Sequence, residues 1–195
     1  MQAVNGIVGA AARKALALAV LLMLLAPAGP ALAEAFEVRT ASLGLRDGFW
    51  MLSARIDYRL SEEAITALEN GVTLTLRVEV EIERVRRWLP DAELLAAERD
   101  WQLSYEPLSK RYLVRYPDDR EPTAHATLFG ALNAIGRVQN LPVAGEGTLR
   151  GAEGYGVAVR ASLSDKSLPA PLRFLAFWNG GLSAESEWYE WTFSP

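Results

Sequence analysis

Residues 72–83 alternate apolar and polar side chains without a break. Val72, Leu74, Leu76, Val78, Val80 and Ile82 form one set, and Thr73, Thr75, Arg77, Glu79, Glu81 and Glu83 form the other. Successive side chains of a strand point to opposite faces, so this stretch presents one apolar face and one solvated face. At about 3.3 Å per residue it runs roughly 40 Å, about twice a common strand. Such a strand requires paired neighbours and a second layer over its apolar face, and a layered β architecture is the expectation.

Other segments repeat the pattern. Phe36 and Val38 open an alternating run, and Asp47-Gly48 is a turn signal. Trp50, Leu52, Ala54, Ile56, Tyr58 and Leu60 then alternate with polar neighbours, and this run is a candidate partner for 72–83. Ser61 is placed to cap a short helix over about 62–70, with Glu62 and Glu63 in its first turn and Gly71 beyond its end. At Arg84 the long alternation slips by one, because Val85 takes the next apolar place; a β-bulge near Arg84 accounts for this. Residues 91–98 permit a helix or a loop. Trp101, Leu103 and Tyr105, the turn at 107–110, and Tyr112, Val114 and Tyr116 read as an aromatic hairpin. Tyr155 to Leu163 alternates again, and 187–193 reads as a closing strand with Trp188, Trp191 and Phe193.

One segment has a different period. Leu128, Leu132 and Ile135, with Phe129, Ala131 and Val138, form a broad apolar stripe at helical spacing. The spacing predicts an amphipathic helix over about 123–139, capped by Thr123 and covering an open sheet face. The expected fold is mainly β: an antiparallel β-sandwich or strongly curved sheet of seven to nine strands with these two helices. A closed barrel around a ligand cavity is the alternative.

The start of the chain reads as an address. Arg13 and Lys14 precede an apolar run over 15–26, followed by Pro27, Gly29, Pro30 and Ala31-Leu32-Ala33. A basic region, a short apolar region and an A-x-A site describe a secretory signal peptide. The run has about twelve residues, whereas a membrane span needs about twenty. Residues 1–33 are therefore expected to be removed between Ala33 and Glu34, leaving one domain over 34–195 that is periplasmic or secreted and does not span the membrane; retention as an anchor is the alternative. Cleavage takes two positive charges from a chain of net charge −4, leaving −6. An acidic domain of this kind lacks the clustered basic charge that nucleic acid requires. With no cysteine in the chain, disulfides, thiolate metal sites and cysteine nucleophiles are excluded.

Catalytic patterns are missing. His125 is the only histidine, and no nucleophile-elbow sequence accompanies it. A surface or capping role is the expectation there. One histidine and no cysteine leave no transition-metal set, and no D-x-D-x-D-G loop offers a calcium site. Glu62-Glu63, Asp118-Asp119 and Glu185 with Glu187 read as solvated strand or helix positions. The glycines at 145, 147, 151, 154 and 156 lack the context of a phosphate loop and read as turns or bulges. No catalytic residue, cofactor or metal is assigned. The basic group Arg84, Arg86 and Arg87 beside Trp88 reads either as a solvated strand end or as an anion or partner contact. The chain has six tryptophans. Trp50, Trp101 and Trp188 fall in phase with apolar neighbours, so core is their default. Trp88, Trp178 and Trp191 lie near strand ends or turns, where they are core or an exposed platform. The candidate ligand or partner contacts are Arg84, Arg86, Arg87, Trp88, Trp178 and Trp191.

Several motifs carry a family likeness: Trp101-Gln-Leu-Ser-Tyr105, the run from Leu108 to Val114, Phe129 with Ala131-Leu132 and Gly136, the run from Leu168 to Arg173, and Trp178, Trp188, Trp191 and Phe193. Through them the chain resembles an uncharacterised family of secreted Gram-negative proteins, classed as a domain of unknown function. These motifs are aromatic and structural, and the family offers no catalytic residue to transfer. Its genes tend to accompany a membrane sensor kinase and an RNA methyltransferase gene, so the resemblance implies a sensor-associated role. The expected function is a non-enzymatic periplasmic binding or adaptor domain with an envelope or membrane protein as partner. A carbohydrate or small-ligand binder using peripheral tryptophans is the alternative, and a hydrolase is a third reading.

Overall fold

A computed structural model describes residues 36–85, 92–118, 120–149, 154–164 and 184–194. Nine strands and two α-helices lie among them. The strands form two antiparallel sheets, one of three strands in the order β1-β2-β7 and one of six in the order β6-β5-β4-β3-β8-β9.

The small sheet begins with β1 (Phe36–Arg46) and β2 (Phe49–Tyr58), joined by a two-residue turn. Asp47 and Gly48 both take positive φ there, 51° and 77°. That is the conformation whose twist matches a hairpin, and Asp-Gly suits it. Helix α1 (Glu62–Glu69) follows, and the Ser61 side chain accepts the Ala64 N–H at 3.1 Å. Gly71 ends it at φ 89°, as the expected capping signals require.

The stretch over 72–83 becomes β3 (Leu74–Arg84), which runs through the interior of the large sheet. Leu74, Leu76, Val78, Val80 and Ile82 are all buried to within 1%. Each such side chain contributes about 1.5–3 kcal/mol on leaving water. Its neighbours differ from expectation in part. The strand reached through Pro90 does pair with it, as β4 (Ala92–Glu106), so 91–98 is neither helix nor loop from Ala92 onward. On its other edge lies β8 (Tyr155–Ser164) rather than 50–60. Helix α1 thus carries the chain from one sheet to the other. The expected bulge exists, but the extra residue is in β4. Ile82 faces Leu95 and Glu83 faces Glu93, while pairing with β8 continues unbroken to Arg84.

Strand β5 (Arg111–Arg115) completes the aromatic hairpin, with Tyr105 directly opposite Tyr112 and their rings 5.0 Å apart. The helix expected over 123–139 is much shorter. Residues Thr123–His125 form β6 against β5, Thr127 caps α2 (Leu128–Ile135), and Arg137–Gly145 is β7. Tertiary pairing overrides the helical period at both ends, because β5 and β2 recruit these backbones into ladders. Val138 fitted the helical stripe because it is buried, but it is buried as a strand residue. Phe129, from the same stripe, is 77% exposed. Strand β9 (Tyr189–Phe193) closes the large sheet on β8.

The core lies between the layers. Trp50 of β2 meets Phe193 of β9 edge-on at 5.3 Å, and β1 packs over β8 and β9. On the other half of the large sheet, α2 covers β5 and reaches β2 and β7, while α1 lies against β4. Both sheets keep open edges among the described residues, as in a sandwich or strongly curved sheet and unlike a closed barrel. Among the described residues no helix is long and apolar enough to cross a membrane.

Candidate functional site

The outer face of the large sheet is built from the polar positions of β3, β4 and β8. Pairing places Arg77 beside Asp100 on β4, and Glu79 beside Arg160 on β8. Arg77 holds Asp100 in a two-pronged bond, Nε to Oδ1 at 2.7 Å and its second prong to Oδ2 at 2.8 Å, and also reaches Glu98. Arg160 donates to Glu79 at 2.8 Å, and Ser162 Oγ donates to the other Glu79 oxygen at 3.1 Å. The hydrogen bonds to Asp100 and Glu79 hold the Arg77 and Arg160 guanidinium groups above their ordinary pKa. Glu185, which bridges to Ser162, lies 3.6 Å from Arg160. The Arg160 guanidinium stands 4.5 Å over the Trp188 ring.

One step toward the Arg84 end of β3, the charges cease to balance. Two cross-strand rows lie there: Glu81, Ala158 and Glu190, then Glu83, Gly156 and Thr192. The middle strand supplies only small residues, so a trough of about 530 Å³ opens along β8. Glu81 and Glu83 form one wall and Glu190 and Thr192 the other. Trp188 and Val85 lie at its ends, and Trp191 lines its β9 rim. A side chain at Gly156 would first meet Val85, so the glycine keeps the floor low. Among the described residues, no cation pairs with Glu81, Glu83 or Glu190.

The structure separates the residues expected from sequence. Trp191 sits half-buried in β9 opposite Val157, packed against the core with its ring 5.9 Å from Tyr189, and only borders the trough. Arg84 ends β3 on the side that continues the buried face, opposite Tyr155, and is half-buried away from the trough. Arg86, Arg87, Trp88 and Trp178 lie outside the described residues. Trp50 and Trp101 are core as expected. Trp188 is not: it precedes β9 and stacks with Arg160 on the outer face. In the sequence Glu81, Glu83 and Glu190 look like any solvated strand face; only strand pairing shows that they share one trough.

His125 is partly exposed, on a strand instead of past a helix cap. It belongs to β6, where Nε2 lies 2.9 Å from Thr123 Oγ1, and that hydroxyl is 3.1 Å from the Tyr116 phenol. This chain ties β6 to the end of β5. Among the described residues no group of acids and histidine is gathered to hold a metal ion.

No curated protein and no solved structure matches the chain. A family model described as Domain of unknown function (DUF4390) matches residues 33–192. An uncharacterised family was expected from the aromatic motifs, and the chain belongs to this one.

Proposed function

We propose that the chain is an exported, non-enzymatic binding domain of the bacterial envelope, and that the trough on β3, β8 and β9 receives a basic peptide segment of a partner protein. The observation that carries this reading is the set of three carboxylates that make no direct ion pair among the described residues, Glu81, Glu83 and Glu190, placed on both walls above a floor of Gly156 and Ala158. A Lys or Arg stem lies well on such a floor, with its charge between the walls. Trp188 adds an aromatic face, and a complementary charged groove speeds association with a basic partner. Export rests on the basic, apolar and A-x-A sequence of residues 1–33, and cleavage after Ala33 places the domain in the periplasm or outside the cell.

Tryptophan emission and calorimetry test this. An oligolysine peptide at low salt is expected to bind and shift the emission, and an oligoglutamate peptide is not. Glu81→Gln with Glu190→Gln is expected to weaken binding at least tenfold, about 1.4 kcal/mol. Equal affinity in that variant would refute the trough as the site. N-terminal sequencing of the exported protein is expected to begin at Glu34; a start at Met1 would refute cleavage.

A second reading, carbohydrate on the same trough, is favoured by the partly exposed Trp188 ring. Emission unchanged across a glycan panel rejects it.

A further inference from the structure

The outer face of the small sheet carries a separate depression of about 630 Å³. Its charge is opposite to that of the trough. Arg46 of β1, Arg55 of β2 and Arg137 of β7 line it, and no acidic residue does. Arg55 and Arg137 are direct cross-strand partners. Like charges in that position oppose strand pairing. Four other arginines, Arg39, Arg77, Arg120 and Arg160, each hold a carboxylate at 2.6–2.9 Å. Among the described residues, no carboxylate lies within ion-pair distance of Arg46, Arg55 or Arg137.

The backbone shapes the same place. Leu52 faces Leu141 and Ala54 faces Val138, so Gln139 and Asn140 stand against Ser53 alone. Asn140 takes φ 50° in this bulge, a left-handed conformation that Asn tolerates better than most residues. The bulge brings both amide side chains to the depression, where Asn140 Oδ1 accepts from Arg46 at 3.0 Å. Thr40, Ser42 and Ser53 add hydroxyl groups. Guanidinium forks and hydroxyl donors together match a tetrahedral oxyanion.

We propose that this depression is a binding site for a phosphoryl group, carried either by a small soluble molecule or by a lipid headgroup. The anion relieves the Arg55–Arg137 repulsion and gives the three arginines their missing counter-charge. A smaller adjoining cavity of about 170 Å³ shares Arg137, Gln139 and Asn140, leaving room for the rest of the ligand.

Calorimetry at low ionic strength with inorganic pyrophosphate, and flotation with vesicles of phosphatidylglycerol or phosphatidylcholine, test the site on the purified protein. Binding of pyrophosphate, of phosphatidylglycerol vesicles over phosphatidylcholine, or of both is expected. Arg55→Gln and Arg137→Gln are each expected to weaken it at least tenfold without lowering the melting temperature. Arg115→Gln, at an exposed position of β5, is expected to leave it unchanged. Leu45 and Phe49, 48% and 51% exposed, flank the turn next to Arg46. Their replacement by Ser identifies a lipid source if it reduces vesicle binding alone, and a soluble source if it changes nothing. The proposal is overturned if neither probe binds, or if Arg55→Gln binds as tightly as the unaltered protein.

Discussion

The Ile56 N–H donates to the Gly136 carbonyl oxygen at 2.9 Å, and the Gly136 Cα faces the Ile56 carbonyl so closely that no side chain fits between them. This contact is where α2 stops and β7 begins. The glycine ends the helix, and the next residue, Arg137, enters the ladder opposite Arg55.

Gly136→Ala is therefore expected to destabilise the fold by about 3 kcal/mol, because a methyl group would overlap backbone that cannot yield. Urea unfolding with an unchanged m-value measures it. A shift below about 0.5 kcal/mol, the scale of a surface change, would show that β2 and the helix end move apart freely.

Tyr58 is buried, and its hydroxyl has no hydrogen-bond partner among the described residues. Its ring meets Phe36 edge-on at 4.9 Å, a contact that Phe would keep. Tyr58→Phe is expected to be neutral or stabilising by up to about 1 kcal/mol at neutral pH. Burial pushes the phenol well above its ordinary pKa. The unfolded phenol ionises near about pH 10 while the folded one keeps its proton, so stability is full below about pH 10 and falls as pH rises beyond it. Chemical denaturation between about pH 9 and 11 is expected to show a gentler alkaline fall in Tyr58→Phe; parallel curves would contradict the burial effect.

Arg160 joins Glu79, Glu185 and the Trp188 ring, and so holds the end of the trough. Arg160→Gln is expected to cost about 1–2 kcal/mol, since it leaves the partly buried Glu79 without its cation. It should also red-shift emission from Trp188, a change that disappears in a Trp188→Phe background. Arg115→Gln supplies the comparison, with neither effect expected. Unchanged emission in Arg160→Gln would mean that the indole is placed by β9 alone.

Much of the scaffold is readable residue by residue. Leu74 to Ile82 lie inward as their alternation demands, Asp47-Gly48 makes the turn, and Ser61 caps α1, because each depends on near neighbours in the chain. Helix α2 is shorter than its periodicity predicts because Val138 satisfies a helical stripe and a strand face equally. Trp188 lies outward because it is one residue out of phase with Tyr189, Trp191 and Phe193, which pair with the buried positions of β8.

Both charged surfaces belong to that second kind of information. The trough needs Glu81 on β3 and Glu190 on β9 to share a row across Ala158. The arginine depression needs Arg55 and Arg137 to meet across a ladder. The long stretch at 72–83 determined by itself that the chain folds as sheets with one wet face, since side-chain alternation is local. Which charges on that face find partners, and which are left facing a groove, was decided only by strand order and register, because these bring together residues that the chain holds far apart.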